Sequence, residues 1–401
     1  MKKAVFSLAL LGCVIIDEIS RLNHVASFFF KHTGETIFNI KIGHIASTKE
    51  TWRKSLVGSN KQGLSIFAFF NTTLKPPIDV FMDSNNTPTK HIQHLLDYAI
   101  VGFAKCGTTS LGEWFHSHPE LGGSEVENYD FQSDFRILTQ ALYKTIPENR
   151  SLDRPFLNGH RCPHDIQNPR ALAFLAKHFP KTKLIVTMRH PVLWFESFFN
   201  YRMERGEAEL LAGSPNELIG WLKCHGCQHP IYLSTATGSF HQYLARLGKT
   251  DLSDEERVLL DPFAPSGKGF TTDLVKNNSN PIFLIETSQL GDKDLSRAAA
   301  LRKDLKAFLG LVDDLPSVPH VRPGDSPPKN YTRIDICQEQ YSPVHTEMMH
   351  VSRNASVWIR NYLLKSPDVF VSSPTHFDVL LQAWMIDPCE EREKKIAGNL
   401  E

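Results

Sequence analysis

Hydrophobic and polar positions divide the chain into two regions that meet near residue 96. Before that point, apolar islands are separated by loops rich in Pro, Asn and Ser, which is typical of an extended stem. After it, short continuous apolar runs predict buried strands at residues 98–103, 183–188 and 281–286. Helical periodicity predicts helices at residues 109–116, 170–179, 191–205 and 295–309. Because buried strands alternate with helices, we predict an α/β fold with a mainly parallel central sheet and helices on both faces.

The N-terminus has the order of a secretory signal. Two lysines follow Met1, and thirteen mostly apolar residues then precede Asp17. This order predicts a signal peptide or a short signal-anchor, with the rest of the chain in the lumen; a buried N-terminal element and a bacterial lipoprotein signal are the alternatives. We divide the chain into that signal at 1–20, a stem at 21–95, a main domain at 96–365 and a C-terminal extension at 366–401.

Sequons for N-glycosylation favour a eukaryotic lumenal protein over a bacterial lipoprotein. The chain has six Asn-x-Ser/Thr sites among 19 Asn, where chance alone gives roughly 2.5. The sites are Asn71, Asn85, Asn149, Asn277, Asn330 and Asn354. The sequons and the N-terminal pattern therefore predict the same compartment.

Charge and cysteine content exclude several classes of protein. The 44 basic and 44 acidic residues balance, so nothing draws the whole chain to nucleic acid, and any anion site must be local. No apolar run reaches the roughly 18 residues of a spanning helix, which excludes a multi-span membrane protein. Seven cysteines are too few for a disulfide-built scaffold. Cys224 and Cys227 have a metal-like spacing, but no firm second pair completes a zinc site. A lumenal disulfide or a helix-end cluster is the preferred interpretation, and we predict no metal.

A loop between the first predicted strand and its helix has the parts of an anion-binding site. Glycines allow the backbone to approach a ligand, and the helix N-terminus supplies unpaired amides. The candidate ligand-binding residues are Lys105, Cys106, Gly107, Thr108, Thr109 and Ser110. This is not a Walker A loop, because the lysine precedes the last glycine instead of following it directly. An ordinary turn that enters a helix is the alternative.

A second anion site is predicted after the second strand. The strand is followed by Arg189, where a magnesium-dependent phosphotransferase would have a carboxylate. Ser197 lies about two turns into the next helix, on nearly the same side. An arginine and a hydroxyl can together hold a phosphate. Two anion sites at the carboxyl ends of two strands suit a nucleotide with phosphates at both ends of its ribose.

These segments resemble the sulfotransferase family. Residues 104–111 resemble its 5′-phosphosulfate loop, although Ala104 stands where many members have Pro or Arg. Arg189 with Ser197 resembles the family's 3′-phosphate motif. The resemblance covers roughly residues 97–312. It implies the P-loop NTPase-like sulfotransferase fold and 3′-phosphoadenosine 5′-phosphosulfate (PAPS) as donor, without a metal.

The region that follows the loop resembles the lumenal, carbohydrate-modifying branch of that family. A Glu of this region is the base for the acceptor hydroxyl there, and spacing from the loop lysine assigns this role to Glu127, with Glu125 as runner-up. Arg161 stands where the branch has a Lys that contacts donor or acceptor. Tyr129 and Gln132 replace a His and an Asp, so the acceptor differs. The resemblance implies a Golgi enzyme, type II or secreted, that sulfates a hydroxyl or amine of a glycan.

The sequence therefore predicts a transferase in which Lys105 stabilises the developing charge and Glu127 accepts the acceptor's proton. A P-loop kinase and an inactive lumenal glycan-binding protein on the same scaffold are the alternatives. We predict no nucleic-acid partner and no membrane contact beyond an N-terminal anchor. The identity of the acceptor, the sulfated position, the oligomeric state and the disulfide pairing are left open.

Overall fold

The structure, a computed structural model, describes residues 75, 77–85, 87–123, 135–147, 156–204, 240–245, 247–249, 279–319, 333–390 and 392. The predicted signal, the stem up to residue 74, and the candidate residues Glu125 and Glu127 lie outside these ranges. Cys224 and Cys227 lie outside them as well. Within the described ranges, no helix combines the length and the apolar character needed to cross a membrane.

One parallel sheet of six strands forms the centre of the described structure. The strands are β1 (Tyr98–Ile100), β2 (Leu121–Gly123), β3 (Leu157–Arg161), β4 (Lys183–Met188), β5 (Ile282–Glu286) and β6 (Val369–Val371). Their order is β2-β3-β1-β4-β5-β6, and each neighbouring pair is parallel. All residues of β1 and β5 are buried, which explains their continuous apolar runs. The predicted α/β fold is confirmed.

Eight α-helices are described alongside this sheet: α1 (Thr108–His116), α2 (Phe135–Thr145), α3 (Pro169–His178), α4 (Pro191–Glu204), α5 (Phe240–Ala245), α6 (Leu295–Leu309), α7 (Ser342–Asn361) and α8 (Pro374–Ala383). The four predicted helices correspond to α1, α3, α4 and α6, with ends within one residue of the prediction. The first strand is shorter than predicted. It ends at Ile100, where its pairing with β3 stops, although the amides of Val101 and Phe103 still donate to the carbonyls of Ile185 and Thr187 in β4.

The hydrophobic core lies in two layers, one on each face of the sheet. On one face, α1 and α6 pack against β1, β4 and β5 through Trp114, Phe115, Leu301, Leu305 and Leu309. On the other face, α3, α4 and α7 bury a larger apolar cluster. The sequence specifies α6 well, since Asp294 caps its first turn and Gly310 ends it in the left-handed conformation. This two-layer packing leaves the carboxyl edge of the sheet free to carry loops.

The C-terminal region contributes to the same fold. Strand β6 pairs with β5 at the edge of the sheet, and α8 packs against α7. A disulfide joins Cys337, which precedes α7, to Cys389, which follows α8. Cys106 and Cys162 are both buried. The disulfide therefore fixes the chain after α8 to the chain before α7.

Candidate functional site

The loop between β1 and α1 has two residues in the left-handed backbone region. Lys105 has a φ of 64°, and Gly107 has a φ of 82° and a ψ of 13°. Glycine adopts this region freely, whereas a lysine there costs about 1–2 kcal/mol. Left-handed residues within a short loop direct successive amides toward a common concavity, which suits an anion. A strained backbone of this kind is typical of a ligand-binding loop.

The N-terminus of α1 adds further donors at the same place. The first helical hydrogen bond runs from the amide of Leu111 to the carbonyl of Gly107, at 3.0 Å. The amides of Thr108, Thr109 and Ser110 precede it and so have no acceptor within the helix. No side chain caps this end of the helix. Together with the helix dipole, these amides favour a bound anion such as a phosphate or sulfate group.

Contacts from α4 and from the segment after β5 hold the loop in this shape. The indole Nε1 of Trp194 donates a hydrogen bond to the carbonyl of Ala104 at 2.7 Å. The hydroxyl of Thr287 lies 3.2 Å from the carbonyl of Cys106 and 2.7 Å from that of Met188. These contacts stabilise the loop backbone from two sides and offset the strain at its turn.

Helix α4 also contacts the loop through a second side chain. The Nζ of Lys105 lies 4.2 Å from the ring centroid of Tyr201, a cation–π contact. Trp194, Ser197 and Tyr201 are spaced by three and four residues, so they share one face of the helix. Ser197 therefore lies on the face that contacts the loop, between the two side chains that touch it.

Arg189 follows β4 at the carboxyl edge of the sheet, where β1 and β5 also end. Its charge acts on the thiol of Cys106 and on the carboxyl group of Glu286, so it lies close to both. Glu286 is the last residue of β5 and pairs in register with Met188 of β4. Burial raises the pKa of Glu286, and hydrogen bonds from Ser288 act in the opposite direction. Glu286 was not named as a candidate in the sequence analysis. Its position directly after an apolar run, like that of Arg189, is the signal that could have identified it.

Cys106 is a packing residue of the loop. Its side chain is completely buried, and this burial raises the pKa of the thiol well above its usual value. A buried neutral thiol is a poor nucleophile. Cys106 can therefore contribute to ligand binding through its backbone, while its side chain fills the space under the loop.

Arg161 lies against the first turns of α1, at the end of β3. Its Nη1 donates to the carbonyl of Thr109 at 3.5 Å. A Cβ added to Gly112 would come within 2.8 Å of the same nitrogen, so the absence of a side chain there makes room for the guanidinium. This position is one turn from the N-terminal amides of α1, on the side nearer to β2 and β3.

A buried polar cluster lies on the other face of the same strand end. The ligand atoms of His160, Cys162 and Asp165 lie within 4.8 Å of one another, as a metal site requires. The Nε2 of His160 and the Oδ2 of Asp165 hydrogen-bond at 2.8 Å. This hydrogen bond pairs the two side chains with each other and anchors the end of β3, so their arrangement is explained without a bound cation. The absence of a metal stays a prediction.

The acceptor-side candidates Glu125 and Glu127 are not among the described residues, so their role also stays a prediction. Strand β2 ends at Gly123 on the carboxyl edge of the sheet, and the segment that carries both glutamates follows it in sequence. Of the other candidates, Lys105 lies in the loop after β1 and Arg189 directly after β4, whereas Ser197 is placed only by its position on the same helix face as Trp194 and Tyr201.

No protein-family model matches the sequence, and no curated protein matches it either. Among solved structures, the chain is similar to a sulfotransferase from Alicyclobacillus acidocaldarius. The two share 16% sequence identity at a TM-score of 0.39, over 64% of this chain and 95% of the bacterial one. Because this similarity is low, the evidence for the fold and for the chemistry of the site comes from this protein's own residues.

Proposed function

We propose that this protein is a sulfotransferase that moves a sulfuryl group from PAPS to a hydroxyl or amine of a glycan in the secretory pathway. The proposal rests on two neighbouring candidate anion sites. One is the strained loop of Lys105 with the uncapped start of α1. The other is Ser197, on the loop-facing side of α4, with Arg189 at the adjacent strand end.

This arrangement suits a nucleotide with two separate anionic ends. The α1 amides and Lys105 would hold the 5′-phosphosulfate, and Arg189 with Ser197 would hold the 3′-phosphate. The residue that follows β4 is a cation, where a magnesium-dependent phosphotransferase has a carboxylate. Donor binding through cations and amides alone favours sulfuryl transfer over the kinase alternative.

The reaction follows from these positions. The acceptor oxygen or nitrogen attacks the sulfur, the bond from sulfur to the phosphate oxygen breaks, and 3′-phosphoadenosine 5′-phosphate leaves. Negative charge that develops on the bridging oxygen is stabilised by Lys105 and by the α1 amides. Glu127 accepts the proton of the attacking group, which typically accelerates a reaction 10²–10⁴-fold. Cys106 takes no part, because its thiol is buried and neutral.

Two further observations support a lumenal location. The Cys337–Cys389 disulfide is typical of a protein that matures in an oxidising compartment. The sequon residues Asn85 and Asn354 are both exposed, as glycan attachment requires. These features support the lumenal part of the proposal, and the Golgi location and the glycan acceptor rest on the sequence resemblance.

The donor class is tested by thermal-shift titration with 3′-phosphoadenosine 5′-phosphate, in parallel with ATP and magnesium. We expect the bisphosphate to stabilise the protein and Arg189→Ala to abolish that stabilisation. Arg302→Ala, on the surface of α6, is the matched control and should respond like the wild type. A shift with magnesium-ATP and none with the bisphosphate would instead establish the kinase alternative.

The acceptor side needs a separate measurement. Transfer of radiolabelled sulfate from PAPS to a panel of desulfated glycans identifies the acceptor. With that acceptor, Glu127→Gln should lower turnover at least 100-fold while bisphosphate binding is unchanged. Glu125→Gln tests the runner-up and should leave turnover unchanged. An active Glu127→Gln enzyme would transfer the assignment to another base, and donor binding without any turnover would favour the inactive glycan-binding alternative.

A further inference from the structure

A second face of α4, next to the one that touches the loop, is covered by the strap, which we define as residues 333–337. Asn200 exchanges two hydrogen bonds with the backbone of Ile334, at 2.8 and 3.0 Å. The carboxylate of Glu196 accepts from the amide of Ile336 at 3.1 Å. Since these helix residues are four apart, the strap follows one stripe of the helix. An ion pair between Arg333 and Glu204 extends the contact by another turn.

Arg392, from the C-terminal segment, binds where the strap meets the helix. Its guanidinium contacts both carboxylate oxygens of Glu196, at 3.1 and 3.2 Å. It also contacts Asp335 of the strap at 3.0 Å. The Glu196 side chain is 20% exposed, so its ion pair is better shielded from water than an ordinary surface pair. A bidentate contact of this kind fixes the position of the carboxylate as well as cancelling its charge.

The disulfide holds Arg392 at this point. Cys389 lies three residues before Arg392, and its partner Cys337 belongs to the strap. The Nη1 of Arg392 also lies 3.5 Å from the sulfur of Cys337. Strap, disulfide and arginine therefore form one unit against α4.

The position of Glu196 links this unit to the proposed ligand site. Glu196 directly precedes Ser197, which the proposed function assigns to the nucleotide's 3′-phosphate. An uncompensated carboxylate there would repel a phosphate dianion and weaken its binding. We propose that Arg392 is a positioning residue for the 3′-phosphate site, which neutralises Glu196 and which the Cys337–Cys389 disulfide keeps in place. This inference rests on the proposed function.

Two ligands that differ by one phosphate test the inference. Titration calorimetry gives dissociation constants for 3′-phosphoadenosine 5′-phosphate and for 5′-AMP, which lacks the 3′-phosphate. Arg392→Ala should weaken bisphosphate binding about 5–10-fold at low salt, and 5′-AMP binding less than 2-fold. Adding Glu196→Gln to that variant should restore most of the affinity, because the unpaired carboxylate next to Ser197 is then removed. Arg392→Lys should retain most of it, and added salt should reduce the difference from the wild type.

The outcomes separate this inference from the proposed function. If the wild type does not bind the bisphosphate, the proposed function fails and this inference fails with it. If the wild type binds it and Arg392→Ala binds both ligands equally less well, the arginine only supports the fold. A double variant that stays as weak as Arg392→Ala would overturn the charge argument. Cys337→Ser should reproduce the selective loss of bisphosphate affinity, and unchanged affinity would show that the disulfide is not needed.

Discussion

Lys105 combines a strained backbone with the charge that the proposed reaction needs, so two substitutions at this residue separate two effects. Lys105→Ala and Lys105→Gly both remove the ammonium and its contact with Tyr201, which is worth about 0.5–1 kcal/mol. Only Lys105→Gly also relieves the backbone, whose φ is 64°. The difference in stability between the two variants therefore measures the backbone strain at residue 105. The loss of activity that they share measures the contribution of the charge.

The expected order of stability follows from two opposing quantities. A left-handed conformation costs a non-glycine residue about 1–2 kcal/mol. Glycine has the larger unfolded-state entropy, which costs about 0.4–1 kcal/mol relative to alanine. Lys105→Gly should therefore be more stable than Lys105→Ala by about 0.5–1 kcal/mol. At an ordinary loop position the order would be reversed, so the sign alone is diagnostic.

Differential scanning calorimetry measures this order as a difference in Tm of about 1–3 °C. Lys303, exposed within α6, is the matched control. There Lys303→Gly should be less stable than Lys303→Ala by about 1 kcal/mol, because glycine is unfavourable within a helix. Both Lys105 variants should lose about 10²–10³-fold in sulfuryl transfer. A Lys105→Gly protein less stable than Lys105→Ala would refute the left-handed backbone, and retained turnover would refute the role of the charge.

Burial lowers the pKa of His190 from 6.5 to about 4. As the pH drops, the imidazole is therefore protonated in the unfolded chain before it is protonated in the folded protein. The free energy of unfolding consequently falls between pH 6.5 and pH 4. The loss is about 3 kcal/mol, and His190→Asn, which can still cap α4, should flatten this part of the Tm–pH profile. Joint replacement of Cys337 and Cys389 by Ser removes a link across 52 positions and should lower stability by about 2–4 kcal/mol, seen as a lower Tm that reductant no longer changes. Trp194→Phe removes the donor to the Ala104 carbonyl and should weaken bisphosphate binding about 5–10-fold; unchanged affinity would mean that this bond does not shape the loop.

Local sequence patterns predicted those strands and helices that show a clear hydrophobic or capping pattern within their own residues. Strand β4 and helix α6 have the predicted bounds, because a six-residue apolar run and a capped amphipathic stretch are legible within a short window. Strands β2, β3 and β6 were not predicted. Two of them have only three residues, and β3 carries Asn, His and Arg. Such segments become strands because neighbouring strands pair with them.

The candidate site divides in the same way. Local sequence patterns are enough to predict that a lysine-containing loop follows a buried strand, that Arg189 follows another, and that Ser197 lies two turns further along. The contact of Tyr201 with Lys105 and the proximity of Arg189 to Glu286 depend on tertiary packing. The same holds for the ion pair between Glu196 and Arg392, which lies far along the chain. Periodicity and loop chemistry act over a few residues, whereas these contacts form only when parallel strands align their carboxyl ends and helices pack across them.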